Sequence, residues 1–468
     1  MQNTRPQLLT SPSYIPPEKR EEPVVASTHN FQDSFPALGT NNAIGGSATV
    51  HAQQCLALGK QAVMVAPTRA GQDFFDTLKI PAVGFAFRGQ SFSNHDEWFE
   101  RPNLHHLAQV LEDVTRKDDP IYSHMPISGA AGREVQRSRG NPHIYLGHAW
   151  EILSAQHFEE RGLKTIRLLA EYEMLRSADV IVTNTETERK LIARLYSTLP
   201  TEGMAREALG KLLTSESGHF VNQLILRDSG SPLREAEILA KCVANPLGID
   251  LNIFNPERRA ALRLEHRASF LASHNLPDDA VLVGSVGRIH PQKNPIAAIE
   301  VFHQAYNRLG NPDNLYLVLA GPYATDERGY PAGYYDVVRK TLENNHHEIR
   351  NRVIFPGSVD AAEMNSKLDI RIDTARFETW GLSLQEALAC GLPSVIRHNE
   401  IYGELYAPFR LPMHVEVGAL ADELVKLVQD PYERERCSAA CARAGQYYSW
   451  ERSVGQLKSN VLNRFGIE

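Results

Sequence analysis

Ala375-Arg-Phe-Glu-Thr-Trp-Gly-Leu-Ser-Leu-Gln-Glu-Ala-Leu-Ala-Cys-Gly-Leu-Pro393 is the stretch on which the reading of this chain turns. Two carboxylates, Glu378 and Glu386, stand eight positions apart in it. Between them Gly381, Leu382 and Ser383 make a small-residue turn able to open a helix, whose first backbone N–H groups attract an anion. Glu386 then falls more than a turn inside that helix, at ~1.5 Å of rise per residue, and reaches a group set back from the anion, such as a ribose. Glu378, on the loop after Asp373, stands nearer a sugar.

Upstream, Gly287-Arg-Ile-His-Pro-Gln-Lys-Asn294 follows an apolar strand and places Arg288 and Lys293 five apart. A guanidinium grips two phosphate oxygens and an ammonium adds a point charge. Alone, the pair reads as a solvated loop with two ordinary charges. Beside the carboxylate segment, it reads as the seat of a sugar joined to a diphosphate. If the nucleotide leaves, fixed cations there stabilise the charge that grows on its distal phosphate, by roughly 3 kcal/mol per well-placed donor.

The first half of the chain offers weaker signals. Gly45 and Gly46 follow its first strand and open a helix, where a phosphate or sugar can approach bare backbone; an ordinary turn is the competing reading. His148, after the strand His143 to Leu146, and His124, after Ile121 to Ser123, are placed to bond a sugar hydroxyl or an acceptor. Either is also an ordinary structural histidine at a strand end.

Working outward, short apolar runs alternate with helical patterns across both halves. That alternation predicts an α/β chain with parallel sheets covered on both faces. Two such runs imply two Rossmann-like domains facing an interdomain cleft, with ligands at the carboxyl ends of the strands. The boundary is expected between Pro246 and Pro256, where Gly248 and two prolines punctuate the pattern. The expected division is a disordered, Pro-rich arm over 1–22, a first domain over 23–247 and a second over 248–446. A C-terminal helix over 447–468 is expected to pack across the junction. Residues from about 198 to 240 read as an insertion, functional or merely superficial.

A chain of 468 residues is too long for one ordinary core. A hydrophobic content of 42% and a charged content of 22% suit a globular protein. The formal net charge of −7 gives no drive toward nucleic acid. No apolar run approaches the ~20 residues of a spanning helix, and no secretory leader is evident. Five scattered cysteines suit a reducing cytoplasm. No DxD triplet occurs, so no divalent metal or other cofactor is expected. A homo-oligomer is compatible with the sequence.

In this order, the motifs resemble those of the retaining glycosyltransferases of family 4, a GT-B group that includes sucrose-phosphate synthase and the inositol-phosphate N-acetylglucosaminyltransferases. The resemblance runs from Val24 to the C-terminus, the insertion excepted. It rests on the Glu378–Glu386 segment, on Gly287-Arg288 with Lys293, on Pro246-Leu-Gly-Ile-Asp250 with Phe254-Asn-Pro256, and on residues 179–188. It implies that Arg288 and Lys293 bind the donor diphosphate, with Gly46 against the distal phosphate. It further implies that Glu386 holds the ribose, and that Glu378 contacts the transferred sugar. His148 would lie beside that sugar, and Gly357 and Ser358 near the base, with uracil the base the family suggests. Asn365 stands where the family commonly has tyrosine, and His398 to Glu404 replaces a common Gly-Gly pair, so the acceptor is not specified. Transfer of a hexosyl group to a hydroxyl is the function so implied. A nucleotide-sugar epimerase on the same scaffold, or a non-catalytic sugar-nucleotide sensor, are the alternatives.

Overall fold

The computed structural model describes residues 8–29, 46–67, 75–85, 101–148, 150–153, 165–198, 233–322 and 333–467. Contacts divide the chain into two compact units, Met1–Gly248 with Trp450–Glu468, and Ile249–Ser449.

In the first unit the apolar runs become β1 (Leu8–Thr10), β2 (Val25–His29), β3 (Ala62–Pro67), β4 (Ala82–Phe85), β5 (Ile121–His124), β6 (His143–Leu146), β7 (Val180–Thr183) and β8 (Cys242–Ala244). They form one sheet in the order β1-β4-β3-β2-β5-β6-β7-β8. Every pairing is parallel except β1 with β4. The parallel strands reverse direction of winding between β2 and β5, the switch point at which doubly wound sheets bind ligands. One face is sealed by Val24, Val63, Val65, Leu107, Leu111, Val114 and Val135, drawn from strands and from the helices Arg101–Val114 and Pro126–Arg139.

The expectation of a disordered arm over 1–22 is corrected for residues 8–22. Leu8, Leu9 and Thr10 pair with Phe85, Gly84 and Val83. Ser11 Oγ then donates to Ile80 O (2.7 Å) and accepts from Ala82 N (2.9 Å), and Arg20 pairs with buried Asp119 at 2.9 Å. Prolines exclude a long strand here, but a three-residue edge strand needs few N–H donors. Of the expected insertion, 199–232 lies outside the described residues. Its end is regular: the helix Glu235–Lys241 packs on the helix Glu186–Ser197 and leads into β8. The helix Trp450–Asn460 packs on Gly46–Leu58 within this unit, and Ser453 Oγ donates to Pro246 O (2.6 Å).

The second unit holds β9 (Val281–Val286), β10 (Leu315–Ala320), β11 (Val353–Gly357), β12 (Ile370–Asp373), β13 (Ser394–Arg397) and β14 (Met413–His414). Their order is β11-β10-β9-β12-β13-β14, parallel throughout, with the switch point between β9 and β12. All six residues of β10 are buried, as a strand covered on both faces demands. The helix Pro256–Ser273 starts at Asn255, whose side chain accepts from Arg258 N. Its Arg259, Arg263 and Arg267 lie one turn apart. They donate to the last carbonyls of the helix Ala361–Lys367, and Arg263 and Arg267 also pair with Asp369. Three cations thus close a helix C-terminus whose carbonyls would otherwise lack partners. No described helix is long and apolar enough to cross a membrane.

Candidate functional site

Both decisive sequence motifs leave the sheet of the second unit at its switch point. Gly287 follows β9, and the segment carrying Glu378 and Glu386 follows β12, the strand beside it. Four hydrogen bonds stitch the two loops together. Thr374 Oγ1 donates to Lys293 O (3.1 Å) and to Asn294 O (2.8 Å). Arg376 N donates to Gln292 O (3.2 Å), and Gln292 Nε2 donates to Phe377 O (3.3 Å). Gln292 also accepts from Arg288 Nη2 at 3.4 Å, which steadies that guanidinium on a partly exposed loop.

Lys293 is the meeting point. Its Nζ lies 2.7 Å from Glu378 Oε1 and donates to Ser383 Oγ at 3.2 Å. Glu378 is 7% exposed, so the ion pair is largely shielded. Gly381 caps the helix Leu382–Ala389 in a left-handed conformation (φ 77°), and a Cβ there would stand 2.6 Å from Tyr402 Oη. Only glycine fits that position. Leu382 and Ser383 follow in the first turn, with N–H groups that no intrahelical carbonyl can reach.

Glu386, one turn deeper, keeps part of its surface open. Burial pushes its carboxyl up to about 7, against the lowering pull of Arg371 and Lys293. Beside the switch point, the backbones of neighbouring strands come very close. Gly287 N donates to Ala320 O (2.8 Å) and Gly321 N to Gly357 O (2.8 Å). A Cβ on Gly321 (φ 148°) would lie 1.9 Å from Gly287 O. Gly357 ends β11, two strands from β9 and so ~10 Å away at ~4.8 Å per strand. Ser358 beyond it is exposed.

In the first unit the structure joins the two histidines that the sequence set apart. His124, the last residue of β5, lies with Nδ1 2.8 Å from His148 Nε2, and their rings stack at 5.1 Å. Its Nε2 is 3.3 Å from Ser27 Oγ. His51 joins the group: Nε2 donates to Ser27 O at 3.1 Å, and its ring centroid is 4.8 Å from that of His124. Burial pulls His51 down to about 4. Burial, aided by His51, pulls His148 down to about 3. Both imidazoles are therefore neutral at pH 7 and act as hydrogen-bonding groups rather than as cations. Gly46 begins the helix after β2, on the switch-point side of this sheet; Gly45 lies outside the described residues.

Residues 267–443 match the family described as Glycosyl transferases group 1, and residues 45–202 match the Glycosyl transferase 4-like domain. The chain belongs to the group 1 glycosyltransferases. A relative from Stackebrandtia nassauensis, named D-inositol 3-phosphate glycosyltransferase, is 25% identical over 353 residues, covering 72% of this chain and 67% of the relative. Sucrose-phosphate synthase from Thermosynechococcus elongatus has a similar structure, with a TM-score of 0.67 at 16% identity, over 96% of this chain and 100% of that one. Anabaena HepE in complex with UDP and glucose superposes with a TM-score of 0.64 at 16% identity, over 94% and 100%. The GT-B fold expected from the sequence is the fold of this glycosyltransferase.

The sequence reading missed four residues around the two switch points of this glycosyltransferase: Ser27, His51, Gly321 and Arg371. Ser27 and His51 carry no motif. Gly321 is flagged only by its place after an apolar strand. Arg371 had a usable signal: it is a charge inside the apolar strand Ile-Arg-Ile-Asp, and charged side chains are almost never fully buried without a purpose.

Proposed function

We propose that this enzyme moves a hexosyl group from a nucleotide-diphosphate sugar to a hydroxyl acceptor, with retention at the anomeric carbon. The observation that carries the reading is the convergence at one switch point of Arg288, Lys293 and a glycine-capped helix N-terminus. That is an arrangement of donors matched to a diphosphate. Arg288 and Lys293 take the distal phosphate with the N–H groups of Leu382 and Ser383. Glu386 accepts from the ribose hydroxyls, and Glu378 faces the sugar. The ~10 Å from Gly287 to Gly357 and Ser358 suits the span from phosphate to base. UDP is the nucleotide we propose, in keeping with the UDP and glucose bound by the HepE relative in fold. In the first unit, Gly45 and Gly46 are the further donor-binding residues of this reading, and His124 and His148 its acceptor-binding residues.

In the reaction, the bond from the anomeric carbon to the diphosphate oxygen breaks. The acceptor hydroxyl attacks from the same face, and its proton passes to the departing phosphate oxygen. Charge gathers on that phosphate as the bond lengthens, so fixed cations and amide dipoles stabilise the transition state more than the ground state. Neutral His148 orients a sugar hydroxyl without adding charge.

The test is turnover with a panel of nucleotide sugars, together with the anomeric configuration of the first product by NMR. Arg288→Ala, Lys293→Ala and Glu378→Ala are each expected to lower kcat at least ~100-fold with melting temperatures near wild type. Near-normal turnover in all three would end the assignment.

A further inference from the structure

Arg371 sits within β12 with none of its surface exposed, on the same sheet face as Asp373 two residues on. A buried guanidinium is costly, and a well-packed apolar side chain would serve this strand at least as well. Its contacts show a narrower use. Nη2 lies 3.1 Å from Val286 O, 3.2 Å from Asp373 Oδ2 and 3.3 Å from Ser383 Oγ. Nε and Nη1 meet no acceptor among the described residues. Asp373 is itself held by Ala375 N (3.3 Å) and Tyr402 Oη (3.4 Å), which keeps the guanidinium aimed at Ser383.

Ser383 Oγ therefore stands between two cations, Arg371 at 3.3 Å and Lys293 at 3.2 Å. Arginine and lysine are donors only, so the serine oxygen accepts from both and its two lone pairs are committed. Its own hydrogen must point away from them. Ser383 is partly exposed, and bare backbone at Gly287 faces it: a Cβ there would touch Ser383 Oγ at 3.6 Å and Lys293 Cε at 3.5 Å.

We propose that Ser383 offers the donor's distal phosphate its hydroxyl as well as its backbone N–H, and that Arg371 is the positioning residue that makes the hydroxyl a donor. The inference rests on the diphosphate reading of this site. Two neighbouring cations draw electron density from the hydroxyl and strengthen the bond it gives to an anion. Arg371 never touches the phosphate. It acts through Ser383, and once the hydroxyl is removed only its smaller pull on the Glu386 carboxyl should remain.

Calorimetric binding of UDP to the full chain tests this, with GDP and ADP alongside. Ser383→Ala is expected to weaken binding about tenfold, and Ser383→Thr to restore most of the loss. Arg371→Met should cost about as much in the wild-type background, yet less than about twofold on top of Ser383→Ala. Wild-type affinity in Ser383→Ala, or an undiminished Arg371→Met effect in that background, overturns the proposal. Thermal melts report whether Arg371→Met folds; if it does not, Arg371→Gln takes its place in the same cycle. Failure of the wild-type chain to bind any of the three nucleotides would instead sink the diphosphate reading itself.

Discussion

Donor affinity should depend on pH through one group, the Glu386 carboxyl, which burial holds at about 7. The sign follows from two opposed effects of protonation. In the proposed site, the Glu386 carboxylate accepts charge-assisted bonds from two ribose hydroxyls. Protonation makes those bonds neutral, a loss of ~1–1.5 kcal/mol each and ~2–3 in all. Protonation also removes a negative charge ~8 Å from the diphosphate, which favours binding by ~1–2 kcal/mol at the dielectric of a partly open site. The hydrogen bonds win by ~1 kcal/mol, which is roughly fivefold in Kd. Affinity should therefore rise with pH through 7 and level off above it. The assay is calorimetric titration with UDP-glucose from pH 5.5 to 8.5, because a diphosphate esterified at both ends does not titrate in that range. Repeating it in buffers of different ionisation enthalpy should show proton release near pH 7. Glu386→Gln should flatten the profile near the acid-side affinity of the wild type. Tighter binding on acidification, or an unchanged profile in Glu386→Gln, would refute the placing of Glu386 against the ribose.

Three further outcomes concern stability. Burial pushes Glu188 up to about 8 in the folded chain. The native state then holds a proton that the unfolded chain releases near its ordinary value of ~4.5, so stability falls as pH rises between the two. Glu188→Gln should stabilise at pH 8 by up to ~4–5 kcal/mol in urea melts and do little at pH 4.5. Gly321→Ala forces a Cβ into Gly287 O at 1.9 Å with φ at 148°; a loss of ~3–5 kcal/mol is expected, and a wild-type melt would contradict that packing. Asp369→Ala strips partners from Arg263, Arg267 and Leu282 N together; it should cost ~3 kcal/mol by chemical denaturation, whereas a surface ion pair would cost under ~1.

The strands of the second unit were legible because a sheet covered on both faces favours apolar runs: β10 is one without a break, and β9 and β12 keep enough apolar positions to stand out. Two long helices were not. Pro126–Arg139 carries Gly129 and Gly132, where a Cβ would strike Met174 Sδ and His143 Nε2 at 2.7 Å. Close approach to its neighbours thus replaces the apolar stripe with small residues, although Pro126 at its start and Gly140 at φ 79° after its end were signals in the sequence. Pro256–Ser273 buries only Phe270 and Leu271 near its end, and over its first turns it presents arginines to the polar end of a neighbouring helix. The meeting of the loops that carry Arg288, Lys293 and Glu378 was legible from spacing, since loops after adjacent strands at a switch point come together. The His124–His148 bond was not, because it depends on the pairing of β5 with β6 in register His124 with Leu146. No local pattern encodes that register.

The ion pair of Lys293 with Glu378 raises a question of charge, since a site proposed to take a diphosphate has its lysine already engaged. The ammonium resolves it. Of its three hydrogens, one faces Glu378 Oε1 at 2.7 Å and one Ser383 Oγ at 3.2 Å, which leaves one for a phosphate oxygen. Donor binding then need not break the pair. On the proposed reading, Glu378 stays anchored on the sugar side by the same cation that meets the leaving group, and the separation of sugar from phosphate is fixed before substrate arrives. An ammonium spreads its three hydrogens around a tetrahedron, whereas a guanidinium holds its donors in one plane. The division of labour between Arg288, beside Gln292 on the partly exposed loop, and Lys293, at the junction of carboxylate, hydroxyl and anion, follows from the shapes of the two cations.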